Sequence, residues 1–183
     1  MLLQGIDPSL FHPAPRRGLV NERFVVFSGG KLEYRKGQDL AVLAFSRFAR
    51  RHPDALLLTA WGSPWPGIAR NLAGRSAAAE VPFDAEGRPD HAAWTEANGI
   101  PPSQVRHLPP LPSVAMPRLL READVALFPN RAEGGTNLVA MECMACGIPT
   151  ILSANTGHLD LVQDDTCLPL LQQAPIPGPS YRG

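Results

Sequence analysis

From Val125 to Ser153 the chain lays down a short apolar run, a turn marked by Gly134 and Gly135, an apolar helix-length stretch holding one carboxylate, Glu142, a Gly-Ile-Pro stop and a second strand-like run, Thr150 to Ser153. The same order occurs near the start. Arg23 to Ser28 reads RFVVFS, rich in aromatic and β-branched residues, and runs into Gly29 and Gly30, the pattern of a buried strand entering a turn. Gly37 to Arg51 follows with helical periodicity, placing Leu40, Leu43, Ala44 and Phe48 on one face with Pro53 just beyond, and ALLLTA at 55–60 is a second buried strand. Strands alternating with helices imply an α/β fold with a doubly wound parallel sheet, whose ligands sit at the carboxyl ends of the strands.

Between Trp61 and Pro117 prolines recur, so only short helical pieces fit; Ile68 to Ala79 and His91 to Asn98 are the candidates, with a short strand at Val105 to Leu108 and a short helix at Met116 to Glu122. Met1 to Arg17 carries Gly, Pro and Asp punctuation without periodicity and reads as extended linker. The tail after Leu171 is rich in proline, and the helices expected to close such a sheet are absent from it or lie beyond it. The expected division is a linker over 1–20, a ligand-binding domain over 21–172 and an irregular tail over 173–183.

A chain of 183 residues with formal net charge zero can bury one core of ordinary size and offers no basic stripe for a nucleic acid or an anionic membrane. No apolar run approaches the roughly twenty residues that span a bilayer, and no basic region precedes an apolar core at the N-terminus, so the expected location is cytoplasmic. Cys143 and Cys146 have CxxC spacing, but no second pair or nearby histidine completes a metal site; burial on the helix is their expected role and no metal is expected.

The chemistry starts with Glu142, which interrupts an otherwise uncharged stretch from Gly134 to Leu159 and shares a helical face with Leu138 and Ala145. A lone buried carboxylate is costly and survives when it is paired, protonated or turned into a crevice where a ligand can use it. Upstream, Gly134 and Gly135 allow a tight turn, and Thr136 or Asn137 can cap the helix that Leu138 opens. Free amides there, with the helix dipole, suit a diphosphate. Glu133 stands at the mouth of the turn, on the order of 10 Å from Glu142 by helical rise, so that two carboxylates could bracket one extended ligand.

Only two lysines occur, Lys31 and Lys36, both in GGKLEYRKG directly after the first strand. With Arg35 they can hold diphosphate oxygens and stabilise a leaving nucleotide as negative charge grows. The bland alternative is a solvated charged turn.

These residues resemble the donor-binding motif of retaining GT-B glycosyltransferases of the glycosyltransferase 4 type. In that family two glutamates flank a glycine-containing helix start, and MECMACGIPT looks like the second-glutamate helix and following strand. Eight residues, Gly134 to Met141, separate Glu133 from Glu142, one more than is usual there. Gly30-Lys31-Leu32 followed by Lys36-Gly37 is similar to the family's Gly-Arg-Leu and Lys-Gly stretches, with lysine for arginine at position 31. The Gly-Ile-Asp segment followed by Phe and Pro resembles the family's interdomain hinge, and Thr156-Gly157 its loop near the donor.

The resemblance implies a Rossmann-like half of a GT-B enzyme that transfers a sugar from a nucleotide diphosphate sugar to an acceptor held largely by an N-terminal acceptor domain. Glu142 would bind the ribose, Lys31 and Lys36 the diphosphate, the amides at Gly135, Thr136, Asn137 and Leu138 its far side, and Glu133 the donor sugar, with Gly30 and Gly134 also among the donor-binding residues. No cofactor beyond that donor substrate is implied, and the 183 residues alone are expected to lack turnover. His158 and Asp160 are ambiguous, His158 more readily a surface or capping group than a catalyst, and Trp61, Trp65 and Trp94 read as packing residues. The alternatives are a noncatalytic nucleotide-sugar module and, less well matched because G-x-G-x-x-G is missing after the first strand, a dinucleotide-dependent oxidoreductase.

Overall fold

The computed structural model describes residues 5–20, 23–163 and 165–175. Six parallel strands form one sheet: β1 (Val25–Gly30), β2 (Leu56–Trp61), β3 (Val105–His107), β4 (Val125–Phe128), β5 (Thr150–Ser153) and β6 (Leu168–Leu170), in the order β3-β2-β1-β4-β5-β6. The order reverses between β1 and β4, where Val26 pairs with Val125 and Phe27 with Ala126. That is the doubly wound α/β sheet expected, and it opens a crevice at its carboxyl edge beside the reversal. β6 was not foreseen: its leucines are exposed, so no alternation of buried and exposed apolar residues marks it.

Two apolar cores cover the two faces. Phe27, Leu56, Leu58, Phe128, Ala140, Cys143 and Leu152 pack on one side; Val26, Val42, Phe45, Leu57, Trp61 and Trp94 pack on the other. The helices are α1 (Gln38–Ala49), α2 (His91–Ala97), α3 (Met116–Leu120) and α4 (Leu138–Ala145). On α1 the buried stripe is Ala41, Val42, Phe45 and Ala49, while Leu40 is exposed and Phe48 only half-buried. The expected Leu40-Leu43-Ala44-Phe48 face is therefore rotated away from the sheet. Phe48 lies at the margin of the second core, where it contacts Phe24 and Phe45 and stacks on His52.

The stretch expected to be helical from Ile68 to Ala79 contains only a 3-10 turn, Pro66–Leu72. Residues 5–20 form neither helix nor strand, yet Phe11 lies in the first core and both carboxylate oxygens of buried Glu122 accept backbone amides of this segment, from Arg17 at 2.7 Å and Leu19 at 3.1 Å. The expected tail falls mostly outside the described residues. No described helix is long and apolar enough to cross a membrane.

Candidate functional site

A cleft of about 790 Å³ opens at the carboxyl edge of the sheet. Its floor is made by the ends of β1, β2 and β3 at Gly30, Trp61 and His107, and one wall by Val139 and Glu142 of α4. α4 comes this close because β1 ends in glycine: a Cβ on Gly29 would lie 2.8 Å from Val139 Cγ1. The segment between β2 and α2 closes another side through Ser63, Pro66, Asp84 and Arg88.

Lys31 and Glu142 share this cleft. The Lys31 ammonium stands 4.8 Å over the Trp65 ring and forms no ion pair among the described residues. Glu142 is half-buried rather than fully buried, its carboxylate forms no hydrogen bond or ion pair among the described residues, and burial alone pushes its carboxyl above the ordinary value. A cation without a counter-ion and a carboxylate without a side-chain partner therefore share one cleft. Each can take a ligand group of complementary polarity without giving up an internal ion pair.

Glu133 and Lys36 have a different setting, since neither lines the cleft. The Glu133 carboxylate accepts from Lys36 Nζ, from Arg35 Nη1 at 3.0 Å and from Asn130 Nδ2 at 2.8 Å. Burial alone would raise this carboxyl, but the hydrogen bonds and charges of Lys36 and Arg35 outweigh it and hold it below the usual range. Arg35 also donates to Glu33 at 2.7 Å. Two of the three cations expected to meet a diphosphate are thus committed to glutamates in this structure, and the loop after β1 is joined to the loop after β4. The pairing of Glu133 with residues near position 35 carries no local sequence signal.

The turn into α4 departs from expectation in its chemistry. Positive φ falls on Asn137, at 58°, and not on Gly134 or Gly135. Asn137 caps α4 through its side-chain oxygen, which accepts from Ala140 N at 3.4 Å, while its amide donates to His158 Nε2 at 2.9 Å. His158 is fully buried and donates from Nδ1 to Ser153 O at 3.1 Å, so it holds the αL cap in place as a neutral imidazole. Burial lowers its pKa, partly opposed by that carbonyl. Gly134, Gly135 and Leu138 are exposed, Thr136 is half-buried, and none of them lines the cleft.

An aromatic and imidazole cluster was not singled out in the sequence. Trp61, His91 and His107 meet with ring centroids 5.7 to 6.1 Å apart on the cleft floor. His107 is within 2.7 Å of Thr59 Oγ1. Burial, then the neighbouring His91, lowers its pKa to about 4; burial also lowers that of His91. The only available signal was that His107 ends a strand at the edge where ligands bind. Cys143 and Cys146 are free and buried, and no cluster of metal ligands occurs among the described residues.

A doubly wound parallel sheet with a cleft at its topological switch point defines a ligand-binding α/β domain. The chain belongs to the family Glycosyl transferases group 1, whose pattern matches residues 14–168. Its fold is that of the C-terminal half of a GT-B glycosyltransferase. The chain is 28% identical over 173 residues to the GDP-mannose-dependent alpha-(1-6)-phosphatidylinositol monomannoside mannosyltransferase of Mycolicibacterium smegmatis, an alignment covering 87% of this chain and 39% of that protein. Among solved structures it is similar to the sucrose-phosphate synthase of Thermosynechococcus elongatus, with TM-score 0.65 and 26% identity, covering 90% of this chain and 37% of that one. It is also similar to the C-terminal domain of a glycosyl transferase group 1 family protein (LpcC) from Francisella tularensis, with TM-score 0.60 and 17% identity, covering 88% and 76%. The chain therefore spans well under half the length of the mannosyltransferase.

Proposed function

We propose that residues 21–172 form the donor-binding domain of a retaining glycosyltransferase that uses a nucleotide diphosphate sugar, with residues 1–20 leading from an N-terminal acceptor domain. The observation that carries this reading is the pairing in one cleft of Lys31, which lacks a counter-ion among the described residues, with Glu142, which lacks a partner. Glu142 accepts the ribose hydroxyls and Lys31 meets the diphosphate. Fixed positive charge at the leaving nucleotide supplies the electrostatic part of the catalysis without a metal ion. The mannosyltransferase relative, GDP-mannose-dependent by name, supports a donor of this class. The acceptor wall belongs to another domain, so this chain binds donor but does not transfer it.

Calorimetry of the chain with UDP, GDP and their sugars tests the assignment. Binding weakened in both Glu142→Gln and Lys31→Gln is expected; donor binding indifferent to both substitutions, or full turnover by these 183 residues, would overturn it. Retention is read from the anomer formed by a full-length enzyme.

The engagement of Glu133 supports a second reading, a noncatalytic nucleotide-sugar module. Its carboxylate is taken up by Lys36, Arg35 and Asn130 and does not line the cleft. Transfer by the full-length protein separates the two, and replacing Glu133 by Gln in it assigns the carboxylate: unchanged transfer leaves it a positioning role, whereas lost transfer with retained donor binding gives it the sugar.

A further inference from the structure

A second cavity, of about 410 Å³, lies between the segment Ala14–Arg17 and α3, and its wall is unusually cationic. Ala14, Pro15, Arg16 and Arg17 form one side, Arg118 and Arg121 the other. It belongs to the opposite edge of the sheet from the donor cleft. Asp124, which contacts its Arg16, immediately precedes β4 and accepts from Val25 N at the start of β1, whereas the cleft begins at Gly30, roughly 17 Å further along that strand by strand rise.

The four guanidiniums are not equivalent. Arg16 is anchored by Asp124 at 2.7 Å and by Ala123 O at 3.2 Å, and Arg121 donates to His12 O at 2.9 Å and Leu10 O at 3.3 Å. Arg17 and Arg118 have no side-chain partner among the described residues and are exposed. Two carboxylates lie close by, but Glu122 is buried and accepts the amides of Arg17 and Leu19, and Asp124 is shared between Arg16 and Val25 N. Glu122 thus fixes the backbone that carries Arg16 and Arg17 without neutralising their outer charge. Four cations, two of them anchored, against two committed anions leave a surplus in a chain whose total charge is zero.

We infer that this cavity binds a phosphate ester, with Arg17 and Arg118 gripping the phosphate and the anchored Arg16 and Arg121 shaping the pocket behind it. Guanidinium forks match phosphate oxygens in bidentate geometry, and two unpaired forks match its double charge. The volume falls within the range of small-molecule sites, about 300–1,000 Å³, and is large for a bare ion. The phosphate can be carried by a soluble metabolite or by a lipid headgroup.

Calorimetry of the chain with glycerol phosphate, and cosedimentation with phosphatidylcholine vesicles containing or lacking phosphatidic acid, distinguish those carriers. Arg17→Gln/Arg118→Gln should weaken whichever binding occurs at least about tenfold, with an unchanged melting curve because both side chains are exposed and unpartnered. Lys31→Gln, which removes the free cation of the donor cleft, should leave this binding intact. Two results would overturn the inference: phosphate and vesicle binding both absent or indifferent to the double substitution, or binding of a polyglutamate peptide where neither phosphate carrier binds, which would assign the pocket to an acidic protein surface.

Discussion

His158 Nε2 accepts a hydrogen bond from the Asn137 side-chain amide at 2.9 Å, and through it a buried imidazole after β5 fixes the left-handed residue that caps α4. The start of α4, and with it the position of Glu142, depends on a contact between residues 21 apart in sequence. Asn tolerates φ of 58° better than most residues because its side chain bonds locally. Asn137→Ala loses the cap, strands the imidazole nitrogen and keeps the strained backbone, for an expected cost of about 2–4 kcal/mol. Asn137→Gly loses the same side-chain bonds but relieves the backbone, and should be roughly 1–2 kcal/mol less damaging. Urea denaturation of both variants checks the order.

Gly157 should be as sensitive for a different reason. A Cβ there would lie 1.8 Å from Gly135 O, and Gly157 N donates to Glu133 O at 3.1 Å, so the loop after β5 presses backbone against backbone on the turn before α4. Neither side can yield by rotating a side chain. Gly157→Ala is expected to lower stability by about 2 kcal/mol or more and to weaken nucleotide binding by displacing Glu133 and α4 together, measurable by melting and calorimetry on the same preparation.

The alternation of strands, glycine turns and helices was legible because each depends on residues near one another in the chain. RFVVFS with its glycines and the MECMACGIPT helix and stop needed no distant information. Glu142 was legible too, as the one charge in an apolar helix. The partners of Glu133 were not. Its neighbours Lys36 and Arg35 lie 97 and 98 residues away, and periodicity says nothing about which loops the sheet order brings together. The rotated face of α1 failed for a related reason: Leu40 with Phe48 and Val42 with Phe45 are comparable apolar pairs in the sequence, and only the packing above the sheet selects Val42 and Phe45.

Arg131 and Asp39 provide the strongest test of how the two site loops are held. The guanidinium donates to both Asp39 oxygens at 2.7 Å, also donates to Tyr34 O at 2.8 Å, and lies 3.9 Å over the Tyr34 ring; Asp39 is completely buried. Arg131→Met leaves that carboxylate without its counter-charge and is expected to cost about 3–5 kcal/mol. Adding Asp39→Leu should recover much of the loss, because removing both charges also removes their desolvation cost. A double-mutant cycle by chemical denaturation measures the coupling.

Stability should fall on acidification in two stages. His91, His107 and His158 all have folded-state pKa values below the ordinary 6.5, that of His107 reaching about 4, with burial the largest cause in each. Between those values and 6.5 the unfolded chain binds more protons. The stability gained by keeping the rings neutral is therefore complete above pH 6.5 and is lost as pH falls through the folded values. Glu133, held below its ordinary 4.5 despite burial, adds a further loss beneath that pH. Melting temperatures taken from pH 8 to pH 3.5 should decline through the first window and more steeply in the second.

Glu142 should behave in the opposite sense, and this separates a ligand-binding carboxylate from a structural one. Burial without a partner raises its folded pKa, so its favourable contribution is complete below the unfolded value and is lost as pH rises through the folded one. Once ionised, the group carries its charge in a setting that disfavours it. Glu142→Gln should then raise the melting temperature at pH 7–8, with the gain vanishing near pH 4, where the wild-type carboxyl is itself neutral. If the side chain grips a ribose, the same substitution should weaken nucleotide binding about tenfold, the loss of a charge-assisted hydrogen bond. A structural carboxylate would lose stability on substitution and leave nucleotide affinity unchanged, so the two readings predict opposite signs in the melting experiment as well as different binding isotherms.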